Sequence, residues 1–201
     1  ADLNAAGYYV YTGVLRDWGG TQNAFQAQQV AFLIFSSSDA TDIPKLTAED
    51  FTTVVSRMPY NDEVEYAGNI IGGATLWLNN GLTEETETGA LMFLNWFSNP
   101  ENAAAWHQIT GYIPITDTAF AALEADGWFE ENPNAAVANM QLNLVPNTGP
   151  LIGNFVAIRD VFTDGMEEIL LNDADVAETL DQVNEDANAI LEEYNFLFAP
   201  E

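Results

Sequence analysis

The run Ile70-Ile71-Gly72-Gly73-Ala74-Thr75-Leu76-Trp77-Leu78, inside the longer stretch from Gly68 to Thr116, decides how this chain reads. It has the apolar, β-prone composition of a buried strand, interrupted by two glycines. A glycine pair in such a pattern marks either a bulge or a place where another group comes close to the backbone. After it, Thr83 can cap a helix whose first turn carries Glu84 and Glu85, acids that suit the positive end of the helix dipole. That helix presents a broad apolar face of Ala90, Leu91, Phe93, Leu94, Trp96 and Phe97, which must be covered. Asn99 followed by Pro100 restarts a helix to about Thr110, Gly111 stops it, and Tyr112-Ile113-Pro114-Ile115-Thr116 follows.

Upstream, residues 1 to 7 read as a helix end stopped at Gly7, and Tyr8 to Tyr11 as a short β-prone run. Gly19-Gly20 precedes a short helix over Thr21 to Gln28, and Val30 to Phe35 reads as an apolar strand ending in Ser36, Ser37 and Ser38. Serines at a strand end offer hydroxyls and helix-start N–H groups to an anion or a sugar, or they simply cap a helix. Phe51 to Met58 reads as another strand, ended by Pro59, and Asn61 to Ala67 as a polar linker. Downstream, the pattern predicts a short helix from Asp117 to Glu124, another from Asn132-Pro133 to about Leu144, and a loop bounded by Pro146 and Pro150. It then predicts a helix from Asn154 to Leu171, with Phe155, Ile158, Phe162, Met166 and Ile169 on one face. Asp175 with Glu178 resembles a capping box opening a long amphipathic terminal helix.

The charge narrows the function classes. Against 31 Asp plus Glu stand four cations, Arg16, Lys45, Arg57 and Arg159, for a net charge of −27. Nucleic acid and anionic membranes are repelled by such a surface, which has no basic patch to hold them. The self-repulsion opposes folding at low salt and is screened at ~1 M, where the Debye length is ~3 Å. The balance suits a salty milieu, such as the envelope or exterior of a halophilic or marine organism; the alternative is an acidic secreted protein. There is no cysteine, hence no disulfide or thiolate metal site, and no apolar run approaches the ~18 residues of a membrane span.

Enzyme signatures are missing: no G-x-S-x-G elbow, P-loop, G-x-G-x-x-G or H-E-x-x-H occurs. The expectation is no catalytic residue, no metal and no cofactor. The lone histidine, His107, reads as a structural side chain beside Trp106. Asn172-Asp173-Ala174-Asp175 lacks the glycine and glutamate of a calcium loop and reads as helix-capping acids. Arg159 stands apart, because the residues three and four positions away, Phe155, Val156, Phe162 and Thr163, include no acid. Its partner is either an acid from elsewhere in the fold or a bound anion.

The run IIGGATLWLNNGLTEETETGALMFLNWFSNPENAAAWHQITGYIPIT closely resembles the glycerol-3-phosphate-binding proteins of bacterial ABC importers, within the large extracellular solute-binding family that includes the maltose-binding proteins. The likeness extends more weakly back through Phe32 to Phe35 and the serines to Gly7-Tyr8-Tyr9, and forward to Ile158-Arg159 and the last helix. It covers nearly all of this chain but only the C-terminal half of such a protein. In that family the phosphate is held by an arginine, a tyrosine, a serine and a backbone N–H, which the resemblance places at Arg159, Tyr112, Ser36 (or Ser37, if the register slips by one) and Gly73. Between Asn139 and Asn154 the chain is shorter than the family and lacks its basic residues. The family's contacts to the glycerol end fall largely in an N-terminal half, which is not part of this sequence.

The resemblance implies an α/β, two-lobed binding-protein architecture. Residues 1–60 and 116–201 belong to the second lobe, the latter as its C-terminal helices, and 61–115 pack on the first. The implied function is capture of glycerol 3-phosphate or glycerophosphodiesters for uptake, in the periplasm or outside the cell, free or membrane-anchored. The implied partners are this ligand, a membrane ABC permease and the N-terminal half of the same protein. The alternatives are a sugar- or polyol-binding member of the family and a fragment of a secreted acidic hydrolase.

Overall fold

The computed structural model describes residues 1–142 and 152–198. In chain order its helices are α1 (Asp2–Ala5), α2 (Trp18–Gln26), a 3₁₀ turn (Ser37–Asp39), α3 (Asp42–Thr47), α4 (Glu84–Phe97), α5 (Pro100–Thr110), α6 (Asp117–Ala125), α7 (Trp128–Glu131), α8 (Pro133–Asn139), α9 (Phe155–Leu171) and α10 (Val176–Phe198). Most ends are set by local chemistry. Thr83 accepts a hydrogen bond from the Thr86 N–H, and Asn99 accepts one from the Asn102 N–H at 2.9 Å ahead of Pro100 at the first helical position. Gly111 closes α5 with φ 71°, and Asp175 accepts from the Glu178 N–H at 3.0 Å to open α10.

Four expectations are corrected. Tyr8 to Tyr11, Val30 to Phe35, Phe51 to Met58 and Ile70 to Leu78 form no strand; the described residues are helix, turn or irregular chain. A strand is a property of a pair, since its N–H and C=O groups need a neighbouring ladder, and these runs find none among the described residues. The helix expected from Thr21 begins at Trp18, because Asp17 caps it by accepting from the Gly20 N–H at 2.8 Å. Helix α3 was not expected at all. The helix expected to reach Leu144 stops at Asn139, and the Pro146 to Pro150 loop lies outside the described residues.

The chain divides into two compact units, one drawn from the described parts of Ala1–Leu33 and Pro150–Glu201, the other from Ile34–Gly149. In the first, α9 packs on α10 with Ile158, Ile169 and Val183 buried. Gly165 permits that approach, since a Cβ there would collide with the Val183 side chain. The N-terminal segment is tied on by the Asn4 amide donating to the Leu170 carbonyl at 3.2 Å, the Tyr11 hydroxyl donating to Glu167 at 2.9 Å, and an Arg16–Asp160 ion pair. On the predicted apolar face of α9, Ile158 and Ile169 are buried while Phe155, Phe162 and Met166 remain about half exposed.

In the second unit, α5, α6, α7 and α8 pack in succession around Ala104, Ala119, Leu123, Ala135 and Ala136. Leu123 is 1% exposed, and Phe120 stacks on Phe129 with ring centres 4.8 Å apart. Gln141 staples a loop to this helical layer: its Oε1 accepts from the Tyr66 hydroxyl and the Asn69 amide, and its own amide donates to the Val137 carbonyl. Helix α4 buries none of its residues. Trp96 is 58% exposed, and Leu91 and Phe93 are about half exposed. With Ile70, Ile71, Leu76 and Trp77 also exposed, the unit carries more exposed large apolar side chains than a solvated chain normally tolerates. The 201-residue chain by itself is therefore expected to self-associate at micromolar concentration. Light scattering on the parent and on Phe93→Asp/Trp96→Asp checks this: a monodisperse parent with a cooperative melt contradicts it.

The acids are mostly unpaired. Among the described residues the ion pairs are Arg16–Asp160 and Lys45–Asp42, the latter at 3.6 Å, and both are solvent-exposed, a class worth ~1 kcal/mol or less. Arg57 instead lies over the Tyr66 ring, 4.9 Å from its centre. With a net charge of −27 and so few compensating contacts, the melting temperature is expected to rise from low to molar salt as repulsion is screened. A flat or falling curve in scanning calorimetry contradicts that.

Candidate functional site

The C-terminal turn of α5 is held from several sides. The Gly111 N–H donates to the His107 carbonyl at 2.8 Å, the Thr110 hydroxyl to the Trp106 carbonyl at 2.7 Å, and the Tyr112 N–H to the Thr110 hydroxyl at 3.2 Å. The Tyr112 carbonyl accepts from His107 Nδ1 at 2.7 Å. Gly111 is then pressed against the backbone of Ser38; a Cβ at Gly111 would overlap the Ser38 carbonyl. This contact brings the serine turn beside the Thr110-Gly111-Tyr112 corner.

Gly73 joins the same corner. Its φ of 149° lies in the region that side-chain-bearing residues rarely adopt, and a Cβ built there would meet the Tyr112 ring at 3.4 Å. Of the two readings of the glycine pair, close approach by another group is the one realised here, and the group is the Tyr112 ring. Tyr112 is 46% exposed and Gly73 is exposed. Neither the Tyr112 hydroxyl nor the Gly73 N–H has a hydrogen-bond partner among the described residues.

Ser36 is placed differently from a free ligand. It caps the 3₁₀ turn by accepting from the Ser38 N–H at 3.3 Å and shares a hydrogen bond with the Ser38 hydroxyl at 2.8 Å, while Ser38 donates to Asp39 at 2.8 Å. The capping reading of the serines is thus realised in the structure. Ser36 and Ser37 are nevertheless exposed, and an exposed hydroxyl pair can turn toward an added acceptor.

Arg159 lies in the other unit, near the start of α9, and is exposed. Its carbonyl accepts from the Thr163 hydroxyl at 2.9 Å, but its guanidinium pairs with no carboxylate among the described residues. The adjacent Asp160 is engaged by Arg16. The expectation that Arg159 lies on or beside the buried apolar face and so needs a partner is corrected: it is exposed, water can satisfy it, and no acid partner is found among the described residues. Ser36, Gly73 and Tyr112 are therefore gathered at one corner of one unit, and Arg159 belongs to the other.

His107 is the residue whose part at this corner was not foreseen. It is 4% exposed, flanked by the Trp128 and Phe129 rings at 6.2 and 5.7 Å, and burial pushes its pKa below the usual 6.5. The signal available in the sequence was its position one turn before a helix-stopping glycine. No group of three or more potential metal ligands clusters among the described residues, and no described helix is long and apolar enough to cross a membrane.

Residues 1–137 match the family model described as bacterial extracellular solute-binding protein. The sn-glycerol-3-phosphate-binding periplasmic protein UgpB of Salmonella paratyphi A is 37% identical over 150 residues, covering 72% of this chain and 34% of that protein. The same protein of Escherichia coli K12 is also 37% identical over 150 residues. Among solved structures, UgpB from Mycobacterium tuberculosis in complex with glycerophosphocholine superposes with a TM-score of 0.69 at 26% identity, over 86% of this chain and 43% of that one. The chain spans about a third of the length of the curated relatives it matches.

Proposed function

This chain belongs to the bacterial extracellular solute-binding protein family, and from that premise we propose that the full-length protein captures glycerol 3-phosphate or a glycerophosphodiester and delivers it to a membrane ABC permease. The observation that carries the reading is the meeting of Tyr112 with Gly73, both with unengaged donors, at the corner where the serine turn abuts Gly111. Hydroxyls and an exposed backbone N–H suit phosphate oxygens, and Arg159, with no acid partner among the described residues, supplies the planar fork that matches a phosphate. Ser36 or Ser37 adds a hydroxyl.

The architecture that goes with this reading is the α/β, two-lobed one, with 1–60 and 116–201 in the second lobe and 61–115 packed on the first. The apolar runs around Ile70 to Leu78 would find their ladder in an N-terminal half, whose sheet would also cover α4. The protein acts in the periplasm or outside the cell and performs no chemistry on its ligand: binding closes the lobes, and the closed form docks on the permease. Thermal stabilisation of the full-length protein by a ligand panel tests it, since a ligand raises stability only by binding the native state. Glycerol 3-phosphate and glycerophosphocholine are expected to raise the melting temperature, and maltose and glycerol are not. Stabilisation by the sugar or polyol alone would establish the polyol-binding alternative instead.

A further inference from the structure

We propose that His107, the single histidine of the chain, is a positioning residue for the ligand site, holding Tyr112 against Gly73 through one fixed ring tautomer. This rests on the reading of Tyr112 as a ligand contact. A carbonyl oxygen only accepts, so the 2.7 Å contact between His107 Nδ1 and the Tyr112 carbonyl places the ring hydrogen on Nδ1. Nε2 is then a bare lone pair, buried and without a partner among the described residues; the Trp128 indole N–H is likewise buried without an acceptor among them. Thr110 fixes the Tyr112 N–H and His107 fixes its carbonyl, so the residue is gripped at both ends of its backbone while its ring stays free to meet a ligand.

Burial favours a neutral ring, although the Nδ1–H bond to the Tyr112 carbonyl is present in either protonation state. A second proton would put an N–H at Nε2 among the Trp128 and Phe129 rings with nothing to accept it, and burial opposes that charge. Glu84, Glu85 and Glu87 on α4, Glu101 on α5, Asp117 and Glu124 on α6, Asp126 between α6 and α7, Glu130 and Glu131 on α7, and Asp39 on the serine turn are the carboxylates on the elements around it, and none bonds to the ring. The direction follows. Desolvation holds its folded pKa below 6.5, against the opposing pull of the Tyr112 hydrogen bond, so the neutral form prevails at neutral pH and stability is lost as pH falls below 6.5.

The test uses the full-length protein, with glycerophosphocholine as probe because a phosphodiester keeps one charge across this pH range. Nitrogen-15 spectra read the tautomer, with the His107 ring identified by the loss of its signals in the His107→Ala variant. The expected result is Nδ1–H at pH 7 with or without ligand; Nε2–H overturns the inference. Calorimetry then compares variants. His107→Ala is expected to weaken binding by roughly five- to tenfold, the loss of one buried hydrogen bond. His107→Asn, whose amide nitrogen replaces Nδ1, is expected to stay within about threefold of the parent. Equal binding by Ala and parent, or equal loss in Ala and Asn, overturns it. If the parent binds no phosphate ligand yet shows the Nδ1–H ring, the transport reading fails while the tautomer lock stands.

Discussion

Arg159→Ala is expected to weaken binding of glycerol 3-phosphate to the full-length protein by at least roughly thirtyfold, about 2 kcal/mol. A unit charge pair at ~4 Å is worth about 4 kcal/mol at an effective dielectric near 20, before desolvation is subtracted. Few other cations are present to substitute: Arg16 is engaged by Asp160, Lys45 by Asp42, and Arg57 lies over Tyr66. The phosphate would otherwise enter a protein of net charge −27 uncompensated. Arg159→Lys is expected to recover only part of the loss, because a point charge replaces a two-pronged donor. Calorimetric titration with the fold verified by circular dichroism reads this; parent-like affinity in Arg159→Ala would reassign the arginine to a structural role.

Gly111→Ala is expected to be the most damaging of the glycine substitutions. The φ of 71° alone costs a side-chain-bearing residue about 1–2 kcal/mol. The new Cβ would also overlap the Ser38 carbonyl, a backbone group that cannot swing aside as a flexible side-chain end can. The total is expected to reach about 3–4 kcal/mol, near the upper end of what single substitutions produce. Gly127→Ala is the control, since it has a φ of 76° and nothing within 4 Å of the added methyl, so it carries the conformational cost alone. Urea denaturation of both variants separates the terms; equal destabilisation would mean that the Ser38 contact yields easily. Because the displaced backbone carries the serine turn away from Tyr112, Gly111→Ala should weaken ligand binding as well.

The features legible in the sequence were those written into a few consecutive residues. Thr83, Asn99-Pro100, Gly111 and Asp175 announce helix ends through groups that bond within one turn, and α4, α5 and α10 lie where those signals put them. Asp17 escaped notice because Gly19-Gly20 looked like a boundary, whereas the chain tolerates both glycines in the first turn of a helix so capped. Helix α3 was missed; it carries Pro44 in its first turn, where a proline costs no helical hydrogen bond. The strand runs are unpaired for the opposite reason: Ile70 to Leu78 has strand composition, but pairing is a non-local property that the described residues do not supply.

The site shows the same division. The types and spacing of Arg159, Tyr112, Gly73 and Ser36 came from a family resemblance, and no periodicity would have joined residues this far apart in sequence. What the structure adds is Tyr112 against Gly73, Ser38 against Gly111, and His107 bonded behind them. Whether Arg159 meets that corner decides the account. The most direct measurement is a crystal structure of the full-length protein with glycerol 3-phosphate. The account predicts the phosphate within hydrogen-bond distance of the Arg159 guanidinium, the Tyr112 hydroxyl, the Gly73 N–H and a hydroxyl of Ser36 or Ser37. A phosphate bound elsewhere, with Arg159 paired to a carboxylate of the protein, would contradict it.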